Sequence, residues 1–130
     1  MGQRAVVQGV ALTATKVDVT TGPDSYKADP GKTFVAVKVT VENTGTDAVN
    51  VDYSQFQFVG KGGDIFTDLE NGTGGEMAFS PDVFDSYDLQ PKGKVENRII
   101  LIQVPNENVA GLKLQFYMDD DHQALIDLGL

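Results

Sequence analysis

Hydrophobic and polar residues alternate strictly in the stretch PGKTFVAVKVTVENTG, which runs from Pro30 to Gly45. One phase of the alternation is occupied by Val35, Val37, Val39 and Val41. This period of two predicts a half-buried β-strand with its valines toward the core, because successive side chains of a strand point to opposite faces. The Pro-Gly and Asn-Thr-Gly sequences at its two ends predict turns.

The same alternation recurs along most of the chain, in short runs separated by turn-forming residues. Residues 6–19 change phase midway, which predicts a bulge or two strands joined by a kink. Residues 96–104 contain Ile-Ile-Leu-Ile, which is apolar in both phases and typical of a strand buried on two faces. For the tail after Asp121 we favour a last strand over a helix ending at Gly129. Further strands are predicted near residues 49–51, 56–58, 65–66, 84–89 and 112–118.

These elements predict an all-β fold, an immunoglobulin-like antiparallel β-sandwich of seven to nine strands. The length of 130 residues fits a single domain spanning 1–130. One segment, about 68–81, is Gly-rich and shows no period, so we expect an irregular loop there, with one helical turn starting at Ser80.

Composition narrows the classes of partner. The chain carries 10 Lys and Arg against 19 Asp and Glu, a formal net charge of −9, and has no cysteine. Such an acidic chain is not expected to bind nucleic acid or an anionic membrane surface, and it contains no thiolate site or disulfide.

The longest apolar run, Ile99 to Ile102, is far too short for a transmembrane segment. The start MGQRAVVQGV lacks the apolar run of a secretory signal, so we expect either a cytosolic protein or one whose leader was removed.

Four segments in order resemble a family of uncharacterised immunoglobulin-like domains found in surface lipoproteins of Gram-positive bacteria and archaea and grouped with secreted mycobacterial antigens. They are PGKTFVAVKVTVENTG, FQFVGKGGDIF, LQPKGKVENRIILIQVP and LKLQFY, which lie between Pro30 and Tyr117. Pro91-Lys92-Gly93-Lys94 departs slightly from the usual Pro-Gly-Glu, and the insert from Leu69 to Ser80 is less typical. The resemblance implies an extracytoplasmic or secreted domain, membrane-anchored when the native precursor carries a lipid anchor, and it implies no catalytic residue.

Enzymatic chemistry is not expected. A Ser-His-Asp triad would have to use His122, the one histidine, which follows three aspartates near the end of the chain and fits a solvated turn better. We therefore expect no catalytic residue and no cofactor.

Calcium is the ion that the sequence suits best, although we expect no metal. Asp119, Asp120 and Asp121 concentrate oxygen ligands between two predicted strands, and residues 68–76 offer more. Neither segment has the spacing of an EF-hand loop, so a charged loop that keeps the domain soluble is the favoured interpretation.

The Gly-rich loop is the predicted surface for a protein or cell-envelope partner of unknown identity. Long irregular loops in compact domains tend to be functional or disordered. The candidate contact residues are Gly72, Gly74, Gly75, Met77 and Phe79. That Met77 and Phe79 fold back over the end of the sandwich is an equally open alternative.

The leading hypothesis is thus a non-enzymatic binding or accessory domain of a cell-envelope lipoprotein. The alternative is a secreted module, similar to a protease inhibitor or an enzyme accessory, that inserts the Gly-rich loop into a partner. The tyrosines could form a glycan or peptide platform, but packing is the favoured role for Tyr26, Tyr53, Tyr87 and Tyr117.

Overall fold

The structure is a computed structural model that describes residues 3–22, 27–67, 69 and 82–130. The described residues form ten β-strands and two single turns of 3-10 helix, Tyr53–Gln55 and Asn106–Asn108, and include no α-helix. The strands are β1 Gln3–Val7, β2 Val10–Thr20, β3 Lys32–Asn43, β4 Val49–Asp52, β5 Phe56–Val59, β6 Ile65–Phe66, β7 Ser86–Leu89, β8 Lys94–Pro105, β9 Lys113–Asp119 and β10 His122–Asp127. Within these ranges no helix is long and apolar enough to cross a membrane.

The strands form two four-stranded antiparallel sheets and one antiparallel pair. The first sheet has the order β1-β2-β3-β8, the second has the order β10-β9-β5-β6, and β4 pairs with β7. In an immunoglobulin constant domain one sheet contains strands A, B and E, and the other contains C, F and G. Strands β2, β3 and β8 take the first three places and β5, β9 and β10 the other three, so the predicted immunoglobulin-like sandwich is confirmed.

The core between the sheets is built from the alternating phase that the sequence predicts. Val35, Val37, Val39 and Val41 are all fully buried in it. From the opposite sheet Phe56 and Phe116 meet with ring centroids 5.0 Å apart, and Phe84 packs edge-on against Phe56. Each fully buried aliphatic side chain contributes about 1.5–3 kcal/mol, so this layer is the main source of stability.

The first sheet also buries apolar side chains on its outer face. Phe34, Ala36, Ile99 and Leu101 form a second cluster, and of the described residues Ala28 packs against it. Ile100 and Ile102 point into the main core. The prediction that Ile-Ile-Leu-Ile is buried on both faces is therefore correct.

The outer edge of β8 is covered along its middle. Leu69 forms an isolated antiparallel bridge with Ile102, and Val83 forms a parallel bridge with Ile99. The backbone N–H of Ile99 donates to Asp82 at 2.7 Å, and the N–H of Phe84 donates to Ile99 at 2.8 Å.

The described residues hold more strands than the seven to nine predicted, mainly because residues 3–20 make two. Strands β1 and β2 are joined by a two-residue turn in which Gln8 and Gly9 have φ angles of 48° and 79°. Both central residues of such a turn need positive φ and are usually Asn-Gly. Because the first of them is Gln8 here, the sequence does not indicate the turn. The phase change has a separate cause, a register shift between Ala14 and Lys16, and this is the predicted bulge.

The tail forms the predicted strand, β10, which pairs with β9 and buries Ile126. The Gly-rich loop and the helical turn predicted from Ser80 fall almost entirely outside the described residues.

Asn43 is the buried polar residue of the described core, with 2% of its surface exposed. Its Nδ2 donates to the carbonyl oxygens of Asp47 at 2.8 Å and Leu89 at 3.0 Å, and its Oδ1 accepts from the N–H of Gly45 at 3.0 Å. One side chain thereby ties the end of β3 to the following turn and to the end of β7.

Candidate functional site

The outer face of the second sheet presents a row of amides to solvent. The inward phase of its strands is taken by large apolar residues such as Phe58, Leu114 and Ile126, so the other phase points outward. We call this outward surface the glutamine face, and its members are Gln57, Val59, Lys61, Ile65, Lys113, Gln115, Tyr117, Asp119, Asp120, Gln123, Leu125 and Asp127.

Three glutamines form a hydrogen-bonded chain across the middle of the glutamine face. Nε2 of Gln57 donates to Oε1 of Gln115, and Nε2 of Gln115 donates to Oε1 of Gln123. Gln123 in turn donates to the carbonyl oxygen of Asp120 at 3.2 Å. The residues come from β5, β9 and β10, so the chain crosses three adjacent strands.

Apolar side chains lie exposed beside these amides. Ile65 is 60% exposed, Leu125 is 53% exposed and Tyr117 is 37% exposed. Leu125 is directly opposite Gln115, and Tyr117 is directly opposite Gln123. Exposed apolar groups next to hydrogen-bonding groups are typical of surfaces that contact other proteins.

One end of the glutamine face is basic and slightly concave. A shallow depression of about 510 Å³ is lined there by Val59, Lys61, Lys113, Leu125 and Asp127, among others. The stem of Lys61 lies across Gly111, where an added Cβ would come within 2.9 Å of the Lys61 Cβ. Gly111 also has a φ of +78°, so two independent constraints favour glycine at this position.

The opposite end is acidic and contains the predicted calcium candidates. Oδ1 of Asp119 accepts from the N–H of Asp121 at 2.9 Å and lies 2.7 Å from Nδ1 of His122. The hydrogen bond from His122, helped by the Asp121 N–H, lowers the pKa of the Asp119 carboxyl. The hydroxyl of Tyr117 donates to Asp120, which raises the pKa of that tyrosine.

These contacts give the aspartates partners within the protein. The described residues include no group of three or more His, Cys, Asp or Glu placed to hold a metal ion. The interactions of Asp119 and Asp120 are compatible with a charged hairpin, and the expected absence of a calcium site stays a prediction.

His122 is on an exposed hairpin, with about 45% of its side chain accessible. Its ring contacts Asp119, and within the described part of the chain no hydroxyl hydrogen-bonds to the ring. Within the described residues, His122 and Asp119 are thus not joined to a hydroxyl as in a Ser-His-Asp triad, and the absence of enzymatic activity stays a prediction.

The other predicted contact residues are not tested by this geometry. Gly72, Gly74, Gly75, Met77 and Phe79 lie outside the described residues, as does Tyr26. Both the loop-contact hypothesis and the inhibitor-like alternative stay predictions.

The described tyrosines do not share a face. Tyr53 and Tyr87 are partly buried and pack on the core, and the ring of Tyr87 meets Phe84 edge-on at 5.0 Å. Tyr117 alone among the three belongs to the glutamine face. Packing is thus the role of two tyrosines, as the sequence favours.

Sequence reasoning missed the glutamine face. The alternation assigns Lys113, Gln115 and Tyr117 to one outward phase, which was the available signal. The lateral neighbours Gln57 and Leu125 depend on strand register, which the pattern of a single strand does not contain.

The fold and the exposed sheet surface define an immunoglobulin-like β-sandwich domain. The chain belongs to the family described as a domain of unknown function, DUF4352, whose family model matches residues 1–122. No curated protein matches the chain in sequence.

Solved bacterial structures share the fold at low sequence identity. The yjhA protein from Bacillus subtilis is 17% identical, with a TM-score of 0.67 and coverage of 98% of this chain and 97% of that one. A putative lipoprotein (ycdA) from Bacillus subtilis is 16% identical, with a TM-score of 0.69, and the match covers 98% of this chain but 38% of that one. An uncharacterized beta-sandwich protein from Clostridium difficile is 13% identical, with a TM-score of 0.55 and coverage of 98% and 91%.

Proposed function

We propose that the chain is a non-enzymatic contact domain of a cell-envelope lipoprotein, which binds a protein or another envelope component through the glutamine face. The observation that carries this proposal is the combination of a hydrogen-bonded amide chain with exposed Ile65, Leu125 and Tyr117. Three of the six exposed large apolar side chains of the described residues lie on this face, and a contact surface gains binding energy by burying such groups.

The charge distribution also favours the glutamine face as the contact surface. The chain has a net charge of −9, yet the central strip of the glutamine face carries amides, aliphatic groups and one phenol. A partner can approach this strip without desolvating carboxylates, which would cost free energy.

The envelope setting is supported by one structural neighbour. The ycdA protein is described as a putative lipoprotein, and the domain fold accounts for 38% of it. A domain that forms part of a longer chain in that neighbour suits an accessory or binding role.

Site-specific photo-crosslinking on intact cells tests the proposal. A photoreactive phenylalanine derivative replaces Leu125 in the full-length natural protein, and the matched control carries it at exposed Asp18 on the other sheet. We expect adducts from position 125 and few from position 18. Equal yields at both positions, or none at 125, would exclude the glutamine face as the contact surface.

Protease treatment of the same cells tests the location. An extracytoplasmic domain is degraded by protease added to cells stripped of their wall, whereas a cytosolic marker survives. Survival of the domain with the marker would contradict the envelope setting.

A further inference from the structure

We infer that the partner of the glutamine face is a second copy of this chain, stacked face to face with its strands antiparallel. This inference rests on the proposed function, because it names the occupant of the same surface. Its basis is the way in which charge is distributed along β9 and β10.

The two ends of the glutamine face have opposite charge. Lys61 and Lys113 lie at one end with Asp127, and Asp119 and Asp120 lie at the other. Lys113 and Asp119 are the first and last residues of β9, so about 20 Å separates the ends at roughly 3.3 Å per residue. The face is therefore an electrostatic dipole along the strand direction, with an uncharged middle.

A two-fold axis makes such a dipole complementary to itself. When the axis lies between the stacked faces and perpendicular to the strands, Lys113 of each copy faces Asp119 of the other. The same operation places Gln115 over the second copy's Tyr117 and Leu125 over its Gln123. Each favourable contact occurs twice, as in any isologous interface.

Other occupants fit less well. A strongly basic partner would suit the acidic end but would meet Lys61 and Lys113 at the opposite end. An acidic partner would suit Lys61 and Lys113 but would be repelled by Asp119 and Asp120. A second copy pairs Lys113 with Asp119 at both ends. The same operation brings Asp127 of each copy toward the β9–β10 hairpin of the other, which offsets part of this attraction.

The interface is small, so the dimer is expected to be weak. Four strands lie about 4.8 Å apart, and only β9 and β10 are about 20 Å long. The face is therefore smaller than roughly 15 by 20 Å, below the typical area of a stable complex. We expect a dissociation constant in the micromolar to millimolar range. Tethering to one membrane would raise the local concentration and favour the dimer.

Charge-swap variants provide the test. Sedimentation equilibrium is measured for the wild type, for Lys61→Glu with Lys113→Glu, and for Asp119→Lys with Asp120→Lys. Each double variant alone should associate about tenfold more weakly or worse, because like charges then meet at both ends. An equimolar mixture should regain association, because Glu then faces Lys at one end and the native pair is kept at the other.

A matched control separates this effect from net charge. Lys16→Glu with Lys38→Glu makes the same change in net charge on the outer face of the other sheet, where both lysines lie side by side. This control should dimerise like the wild type. Equal weakening in the control, or no recovery in the mixture, would overturn the inference.

Nuclear magnetic resonance of the wild type keeps the test decisive if a variant fails to fold. Raising the concentration from about 10 μM to about 1 mM should shift amide signals of β5, β9 and β10 alone. Unchanged spectra would reject the dimer, and if Leu125 still cross-linked to a different protein on cells, the proposed function would stand without it. If neither concentration-dependent shifts nor a cross-link from position 125 is found, both the dimer and the proposed function are rejected.

Discussion

Asn43 shows how much one side chain contributes to this sandwich. Its side chain is almost fully buried and hydrogen-bonds to three backbone groups, two in the following turn and one at the end of β7. The sequence places it in a predicted turn, Asn-Thr-Gly, but gives no sign that the amide reaches β7, 46 residues further on.

We expect Asn43→Ala to lower the free energy of unfolding by about 1–3 kcal/mol, because it leaves the Leu89 carbonyl buried without this partner and breaks two part-buried hydrogen bonds to the following turn. Urea denaturation measures the change. Asn50→Ala is the matched control, since Asn50 also hydrogen-bonds to its neighbours but is exposed, and it should cost under about 1 kcal/mol. Equal losses would mean that burial of Asn43 is not the cause.

His122 and Asp119 predict a pH effect confined to the hairpin between β9 and β10. The hydrogen bond from His122 lowers the folded pKa of Asp119 below its unfolded value. The ionised form therefore contributes stability above the unfolded pKa, and this contribution is lost as the pH falls through the folded pKa.

The expected result is that His122→Ala raises the pKa of Asp119 toward its ordinary value, as followed by carboxyl chemical shifts during an acid titration. Part of the lowering should persist, because the N–H of Asp121 still donates to the same oxygen. An unchanged Asp119 pKa in the variant would show that the contact with His122 is absent in solution.

At the scale of elements, the sequence predicts a strand well where the residues of both alternating sets, inward and outward, show which face is buried. The valines of β3, the two-sided apolar centre of β8 and the bulge of β2 all follow from local alternation. The turn at Gln8 and the lateral pairing of β5 with β9 do not, because the first lacks the usual residues and the second joins distant segments. The glutamine face was missed because its residues come from distant segments that are brought together by strand pairing.

The phase of β3 predicts opposite outcomes for two neighbouring substitutions. Val39→Asp should prevent folding, since an unpaired buried carboxylate costs several kcal/mol, comparable with the whole stability of a domain. Lys38→Asp should cost little, because Lys38 is on the outer face opposite Lys16 and the change replaces a like-charge pair. Circular dichroism and thermal melting distinguish them, and similar melting of both variants would refute the assigned phase.

At the scale of the whole molecule, we ask whether calcium binding to the hairpin between β9 and β10 stabilises the fold. Asp119 and Asp120 already accept hydrogen bonds within the protein, so binding an ion would require those contacts to be exchanged. A ligand stabilises the folded state only as its concentration exceeds the dissociation constant.

We expect about 1 mM calcium to change the melting temperature by no more than about 2 °C relative to magnesium or a chelator. Scanning calorimetry makes the comparison, with Asp120→Asn as the control variant. A large rise with calcium that Asp120→Asn removes would establish the hairpin as a calcium site.

The covered edge of β8 has a consequence for aggregation. The segment from Arg98 to Val104 is rich in β-branched and aliphatic residues and almost free of charge, the composition that favours stacking of identical strands between molecules. In the fold, β3 occupies one edge of this strand, and Leu69, Asp82, Val83 and Phe84 cover the other. Local opening of that cover would expose a template for intermolecular pairing while most of the sandwich remained intact, so the cover protects the solubility of the domain as well as its shape.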